Sequence, residues 1–146
     1  MSSTAEPSLE ITHEVRDTCF CLHAQRAARA LARRYDAALR PLGLTNGQFA
    51  LLMSLNRPTP PGIAEISLLL AMDRTTVTAS LKPLARRGLV AVAVDPVDRR
   101  GRRMTLSEAG RALLIEALPL WRRAQAATER LATDPERLRA ALRTLG

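Results

Sequence analysis

Residues 63–106 constrain the fold most strongly, because their patterning changes from helical to strand-like with no linker between the two. Residues 63–70 are short and apolar, a two-residue turn follows, and Asp73 stands where a helix N-cap is expected. The helix that begins there ends near Gly88, a residue typical of the C-terminal end of a helix. Two short helices joined by so short a turn are typical of a helix-turn-helix.

A β-hairpin follows the second of these helices at once. Residues 89–94 (LVAVAV) alternate β-branched and small apolar side chains, as a strand does. Residues 95–101 (DPVDRRG) have the composition of a polar turn, and residues 102–106 can return as the second strand. A hairpin placed directly behind the second helix is a wing, so this part of the chain is predicted to be a winged helix-turn-helix.

The rest of the chain is predicted to be helical. Apolar residues recur every three or four positions over 12–42, which predicts one long helix with a buried stripe. Thr45 and Gln48 form a capping box for the next helix, and the proline-rich residues 56–62 form a loop. Ser107 caps a long C-terminal helix that Pro119 should kink, and residues 133–136 cap a last short helix. The fold class is therefore mainly α with a small β-hairpin.

A chain of 146 residues has the size of one domain, so residues 1–146 are predicted to form a single one. Its central region, 45–106, would be the winged helix-turn-helix. The terminal helices in 12–42 and 107–146 each have an apolar face that so small a domain leaves uncovered. A second copy of the chain would cover these faces, which predicts a homodimer.

The charge of the chain indicates a polyanionic partner. The formal net charge is +8, and seven arginine or lysine residues against two aspartates lie between 82 and 103. Aromatic residues make up only 3%, too few to stack on single-stranded bases, so double-stranded DNA is the expected partner. No apolar run is long enough to span a membrane and no secretory signal is visible, so we expect a cytoplasmic protein without a membrane partner.

The second helix of the helix-turn-helix has the chemistry of a major-groove reader. Val77, Leu81 and Leu84 form its buried side, which turns hydroxyl and basic side chains outward. In the hairpin, a carboxylate beside a guanidinium fixes the direction of the guanidinium, and an arginine on a narrow ribbon can enter the minor groove. The predicted DNA contacts are Arg74, Thr75, Thr76, Thr78, Lys82, Arg86, Asp98, Arg99, Arg100 and Arg102.

Four motifs in this region resemble the MarR family of winged-helix regulators. They are MDRTTVT at 72–78, LARRGLV at 84–90, DPVDRR at 95–100 and LSEAGR at 106–111. The resemblance extends from about residue 17 to 131, and it implies a homodimer that binds palindromic operator DNA, in most members as a repressor released by a small molecule or by oxidation. It also implies that Arg100 is the minor-groove arginine, supported by Asp98. Ala71-Met72 departs from the family, many members of which place glycine at this turn.

Both cysteines of the chain lie in the stretch DTCFCLH at 17–23. Cys19 falls on the apolar stripe, Cys21 points to the other side of the helix, and His23 can share a face with Cys19 and lower the pKa of its thiol. The Cys19-Phe20-Cys21-Leu22 string resembles the first helix of the peroxide-sensing branch of the family, although His23 replaces one of the tyrosines found there. The thiols have three readings: an oxidation sensor, a capture site for a metal or arsenite built from Cys19, Cys21 and His23, or ordinary packing residues.

The regulated signal and the class of protein leave alternatives open. A regulator controlled by a phenolic or other aromatic ligand, with purely structural cysteines, is the first of them. A thiol-based enzyme is the second, but the sequence has no Ser-His-Asp grouping and no phosphate-binding glycine loop, and no catalytic residue is assigned. A basic winged-helix scaffold that binds protein is the third. No cofactor and no metal site is predicted.

Overall fold

A computed structural model describes residues 6–146 of the chain. The chain divides into two compact units, Met1–Arg34 and Tyr35–Gly146, and each is treated below by itself. Of the helices within the described residues, none has the length and apolarity needed to cross a bilayer. The prediction of a single domain over residues 1–146 stays a prediction.

The first unit contains a helical break that the sequence did not indicate. Helix α1 spans Leu9–Thr18 and helix α2 begins at Phe20, while Cys19 between them has an extended backbone with φ −69° and ψ 110°. The Cys19 Sγ accepts the backbone N–H of Leu22 at 3.4 Å, as an N-cap side chain does. The prediction of one long helix over 12–42 is therefore wrong at Cys19, where the chain starts a second helix with its own cap.

The predicted stripe of apolar residues is present but is not buried. No residue of the described segment 6–38 is buried in the single chain, and Val15 is 51% exposed. Phe20, at the start of α2, is 81% exposed. The burial predicted for this stripe is therefore not found within one chain.

The second unit contains the end of α2, which spans Phe20–Leu39, and all the elements that follow it. In chain order these are a 3-10 turn (Arg40–Leu42), α3 (Asn46–Ser54), α4 (Ile63–Leu70), α5 (Arg74–Arg86), β1 (Val90–Val94), β2 (Arg102–Leu106), α6 (Glu108–Glu129) and α7 (Pro135–Arg143). The Thr45–Gln48 capping box forms as predicted, and Asp73, Ser107 and Asp134 each cap a helix. Both α5 and α6 continue through an internal proline as single helices.

Strands β1 and β2 pair in antiparallel register from Val90 opposite Leu106 to Val94 opposite Arg102. The loop before α4 adds to the free edge of β2: Gly62 forms a bridge with Arg103, and the Met104 N–H donates to the Pro61 carbonyl at 3.2 Å. The hairpin is thus joined by backbone contacts to the helix-turn-helix. The predicted fold class, mainly α with a β-hairpin wing, is confirmed.

The core of this unit lies between α3, α4, α5, the strands and α6. Its fully buried side chains include Leu52, Ile66, Leu84 and Met104, each with 0% of its surface exposed. The LSEAG motif has a steric role here, because a Cβ on Gly110 would lie 2.1 Å from the Leu89 carbonyl oxygen. Only glycine lets the first turn of α6 approach the start of the wing this closely.

Candidate nucleic-acid interface

Helix α5 is held at its N-terminus by a dense set of local hydrogen bonds. The Asp73 carboxylate accepts the Thr76 backbone N–H at 2.9 Å and the Thr76 hydroxyl at 2.5 Å. These two hydrogen bonds hold the pKa of Asp73 below its usual value, and the bond from the Thr76 hydroxyl has the larger effect. Ala71, in the turn before it, has φ 51°, the left-handed conformation that glycine adopts most easily. The turn therefore keeps the backbone conformation that glycine would favour, with alanine in its place.

The two sides of α5 differ as the sequence predicts. Val77, Leu81 and Leu84 are at most 4% exposed and form part of the core. The opposite side carries four exposed polar residues: Arg74, Thr75, Thr78 and Lys82. Because the apolar side of α5 is buried in the core, the polar side is the one that the helix presents to a ligand.

The three threonines of α5 use their hydroxyl protons differently. Thr76 donates to Asp73, and Thr78 donates to the Arg74 carbonyl at 2.9 Å. Within residues 6–146, the Thr75 hydroxyl has no protein hydrogen-bond partner. Thr75 therefore has a proton free to donate to an external acceptor, and the other two have theirs engaged.

Asp95 organises the turn of the wing. Its carboxylate accepts the backbone N–H groups of Val97 at 2.8 Å and Asp98 at 3.2 Å, and it is only 8% exposed. It also accepts from the Arg103 guanidinium, Nε to Oδ2, at 2.7 Å. The backbone hydrogen bonds, followed by the arginine, hold the pKa of the Asp95 carboxyl below its usual range.

Asp98 has a different partner from the one that the sequence suggests. Its Oδ1 accepts the backbone N–H of Arg100 at 3.0 Å. In the described part of the chain it forms no salt bridge with a guanidinium, and its predicted support of Arg100 on DNA stays a prediction. Asp98 shapes the backbone of the turn, because a carboxylate two residues before an N–H closes a local ring with it.

A groove of about 690 Å³ lies between α5 and the wing, and we call it the α5–wing groove. Seven of the ten residues predicted to contact DNA line it: Arg74, Thr75, Thr78, Lys82, Asp98, Arg100 and Arg102. The first four form its helix wall and the last three its wing wall. Thr76, Arg86 and Arg99 do not line the groove: Thr76 is part of the N-cap, and the two arginines are exposed at the end of α5 and at the wing tip.

The groove has an excess of unpaired positive charge. Across residues 6–146, four basic side chains that line the groove form no salt bridge: Arg74, Lys82, Arg100 and Arg102. The acidic residues Glu65 and Asp95, which also line the groove, are both paired with Arg103. A phosphate that enters the groove would therefore meet four unpaired cations against a single unpaired carboxylate, that of Asp98.

Sequence reasoning missed a set of paired charges at the base of the wing. Arg103 donates to Asp95 and to Glu65, and Glu65 also accepts from Arg57 at 2.5 Å. One signal could have found it, because neighbouring residues of a strand point to opposite faces and Arg102 and Arg103 therefore cannot have the same role.

Arg87, a member of the basic run between 82 and 103, is bound to the protein. Its Nη1 donates to the Gly43 carbonyl at 2.8 Å and its Nη2 to the Leu42 carbonyl at 3.3 Å. These carbonyls end the 3-10 turn that follows α2. Arg87 thus ties the end of α5 to this turn, and the charge run predicted from sequence contains residues of different roles.

The thiol cluster lies in the first unit. Cys19 is half-buried at the break between α1 and α2, and Cys21 is exposed, its Sγ accepting from Gln25 Nε2 at 3.1 Å. His23 Nδ1 lies 2.8 Å from the Cys19 carbonyl oxygen, so the imidazole contacts the backbone of Cys19. Among residues 6–146, no group of three or more His, Cys, Asp or Glu side chains could hold a metal ion.

Comparison with known proteins matches this region to one family. The model of the MarR family matches residues 44–101, which include α3, α4, α5 and most of the wing. The chain is 33% identical over 89 residues to the transcriptional activatory protein BadR of Rhodopseudomonas palustris, a match over 59% of this chain and 51% of that one. It is 37% identical over 76 residues to the HTH-type transcriptional repressor NicR of Pseudomonas putida, over 52% of this chain and 48% of NicR. The chain thus spans about half the length of these curated relatives.

A solved structure extends the match to nearly the whole chain. The M. tuberculosis transcriptional regulator MosR in complex with DNA superposes with a TM-score of 0.82 at 39% identity. The match covers 88% of this chain and 93% of MosR. Both the winged region and the helices around it therefore have a counterpart in one DNA-bound protein.

Proposed function

Because the chain belongs to the MarR family, we propose that it is a transcriptional regulator that binds double-stranded operator DNA in the α5–wing groove. The observation that carries this proposal is the unpaired positive charge around that groove, on Arg74, Lys82, Arg100 and Arg102. Phosphates supply the complementary charge, and the exposed threonine face of α5 supplies groups of the size that base edges accept. The relatives compared above are regulators, so the thiol-based enzyme alternative is not supported.

We propose that the regulator acts as a homodimer on a palindromic site. Exposed apolar side chains in both units support this part of the proposal: Leu9, Ile11, Val15 and Phe20 in the first, and Leu131, Leu138, Leu142 and Leu145 in the second. Apolar side chains this numerous are typical of an interface between copies. Sedimentation at micromolar concentration should give the mass of two chains, and a single-chain mass would contradict the dimer.

DNA binding is tested most directly with the fragment upstream of the gene that encodes this chain. We expect binding that a scrambled duplex of the same length does not compete away. A dimer that neutralises about six phosphates should lose about 10³-fold in affinity between 50 and 200 mM salt. Equal binding to both duplexes, or affinity that does not change with salt, would favour the protein-binding scaffold instead.

We propose repression as the sign of regulation, as in NicR, while BadR is named an activator. The two outcomes can be separated by a reporter placed behind the bound fragment. Deletion of the regulator should raise transcription from that fragment if the chain represses, and lower it if the chain activates.

For the signal, we propose oxidation at Cys19 and Cys21. The helix is already interrupted at Cys19, so the two thiols can approach with less unwinding than a continuous helix would need. A peroxide would oxidise the Cys19 thiolate to a sulfenic acid and leave as water or alcohol. The Cys21 thiol would then attack that sulfur, a disulfide would form and water would be released.

The test compares three proteins on the same duplex: wild type, Cys19→Ser and Cys21→Ser. Peroxide should release the wild type from DNA, a thiol reductant should restore binding, and Cys19→Ser should stay bound. Cys21→Ser should form the sulfenic acid but no disulfide. Mass spectrometry separates the two products, because a sulfenic acid adds about 16 Da to the chain and a disulfide removes about 2 Da. Release that persists in Cys19→Ser would instead support control by a phenolic or other aromatic ligand.

A further inference from the structure

We propose that Arg103 is a positioning residue: it holds the wing turn where Arg100 can contact DNA, and it makes no DNA contact of its own. This inference rests on the proposed function and concerns the wing wall of the α5–wing groove. Arg103 is not among the predicted DNA contacts, and its side chain connects parts of the chain that lie far apart in sequence.

The Arg103 guanidinium joins three segments. Its Nε donates to Asp95 Oδ2 at 2.7 Å in the wing turn, and its Nη1 donates to Glu65 Oε1 at 3.2 Å in the first turn of α4. The same Nη1 donates to the Pro60 carbonyl at 3.2 Å in the loop before α4. A planar guanidinium can direct donors along separate axes at once, and an ammonium cannot reproduce that geometry.

A continuous set of hydrogen bonds leads from Arg103 to Arg100. Arg103 orients the Asp95 carboxylate, which accepts the backbone N–H groups of Val97 and Asp98. Asp98 in turn accepts the backbone N–H of Arg100 at 3.0 Å. Two carboxylates therefore build the turn, and Arg103 is the only side chain from outside residues 95–100 that binds either of them within the described part of the chain.

The pairing of charges separates the roles of the two arginines. Arg103 is in contact with two carboxylates, so little of its charge remains for a phosphate. Arg100 has no ion pair in residues 6–146 and is exposed at the wing tip. A residue that contacts DNA needs an unpaired charge, as Arg100 has. A residue that only supports the contact can have its charge neutralised, as Arg103 does.

The experiment is a pair of double-mutant cycles measured on the fragment upstream of the gene that encodes this chain. The variants are Arg103→Met, Arg100→Ala and Thr75→Val, with the two double variants that contain Arg103→Met. We expect Arg103→Met to weaken DNA binding about 10-fold, and Arg100→Ala at least as much. If Arg103 acts through Arg100, adding Arg103→Met to Arg100→Ala costs less than a further twofold. Added to Thr75→Val, on the helix wall, it should still cost the full tenfold.

A second variant keeps the inference testable if Arg103→Met folds poorly. Arg103→Lys keeps the charge, and it should shift the amide NMR signals of Val97, Asp98 and Arg100 in the free protein while those of Val77 and Leu81 stay in place. The same variant should lose most of the affinity that Arg103→Met loses, with an unchanged thermal midpoint.

Three results would overturn the role given to Arg103. They are full affinity in Arg103→Met, a tenfold loss that adds fully to Arg100→Ala, and wing amides unmoved in Arg103→Lys. Failure of the proposed function looks different, because then the wild-type protein itself does not distinguish the upstream fragment from a scrambled duplex.

Discussion

The two walls of the α5–wing groove are built on different physical principles. On the helix wall, α5 is anchored by Val77, Leu81 and Leu84, which are at most 4% exposed. On the wing wall, Val90 is the one buried residue of β1, and residues 96–100 are all exposed. The wing turn depends instead on Asp95 and Arg103, two charged residues bound to each other.

This difference predicts which conditions affect each wall. Apolar burial is insensitive to salt at moderate concentration and to pH, so the helix wall should keep its position until the domain unfolds. An ion pair that is partly exposed is weakened by salt and lost when its carboxylate is protonated. The wing wall is therefore the part of the site that its surroundings can adjust while the fold remains intact.

The largest effect should come from the anchor of the helix wall. Leu84→Ala removes a fully buried side chain, and we expect a loss of about 3 kcal/mol in the free energy of unfolding, because a cavity remains in the core. Urea denaturation measures this loss. The control, Val92→Ala on the half-exposed strand β1, should change it by less than about 0.5 kcal/mol. Equal losses would show that the wing is as much a part of the core as α5.

The next effect concerns DNA binding without a change in stability. Arg100→Ala should weaken binding by about 2 kcal/mol and, in the proposed homodimer, lower the magnitude of the salt slope by about two, because each copy loses one contact to DNA. Fluorescence anisotropy at several salt concentrations measures both quantities. Arg111→Ala removes the same charge from an exposed site on α6 outside the groove, and it should leave both unchanged. If the two variants weaken binding equally, general charge explains the effect and the position of Arg100 does not.

The sequence predicted most accurately the features that depend on neighbouring residues. Thr45, Asp73 and Ser107 were identified as N-caps, since a cap needs only its own side chain and an N–H within three residues. The break at Cys19 is local as well, but neither proline nor glycine marks it, and the apolar spacing continues across it. Apolar periodicity identifies the buried face of a helix, but it does not detect an interruption across which the three- or four-residue spacing continues.

The candidate site was predicted in its location and less well in the division of roles. The charge run lies on the end of α5 and on the wing, the two segments that form the walls of the α5–wing groove. It could not separate Arg87, bound to two carbonyls 44 and 45 residues away, or Arg103, bound to Glu65, from the arginines that remain free. These partners are distant in the chain, and only the tertiary structure brings them together.

A smaller effect separates the threonines of the helix wall. Thr75→Val keeps the shape of the side chain and removes a hydroxyl that has no protein partner among the described residues, so DNA binding should weaken by about 1 kcal/mol. Thr78→Val removes a hydroxyl whose proton is already given to the Arg74 carbonyl, and binding should change little. Thr75→Ser, the matched control, should bind as the wild type does. The reverse order of the two valine variants would mean that Thr78 changes its hydrogen bond on DNA.

The smallest effect is a response of the wing wall to acid. The N–H groups of Val97 and Asp98, together with Arg103, hold the pKa of Asp95 below the usual value of about 3.9. Because the pKa is lower in the folded state, the stabilisation is complete above the unfolded value and is lost as pH falls through the folded value. In an NMR titration from pH 6 downward, the amide signals of Val97 and Asp98 should therefore move together below about pH 4, and the replacement Asp95→Asn should abolish that step.

The amides of Leu81 and Leu84, whose positions depend on burial, should not move over the same range. Movement of both sets at one midpoint would mean that the two walls are a single cooperative unit, and that the wing cannot be adjusted without the core.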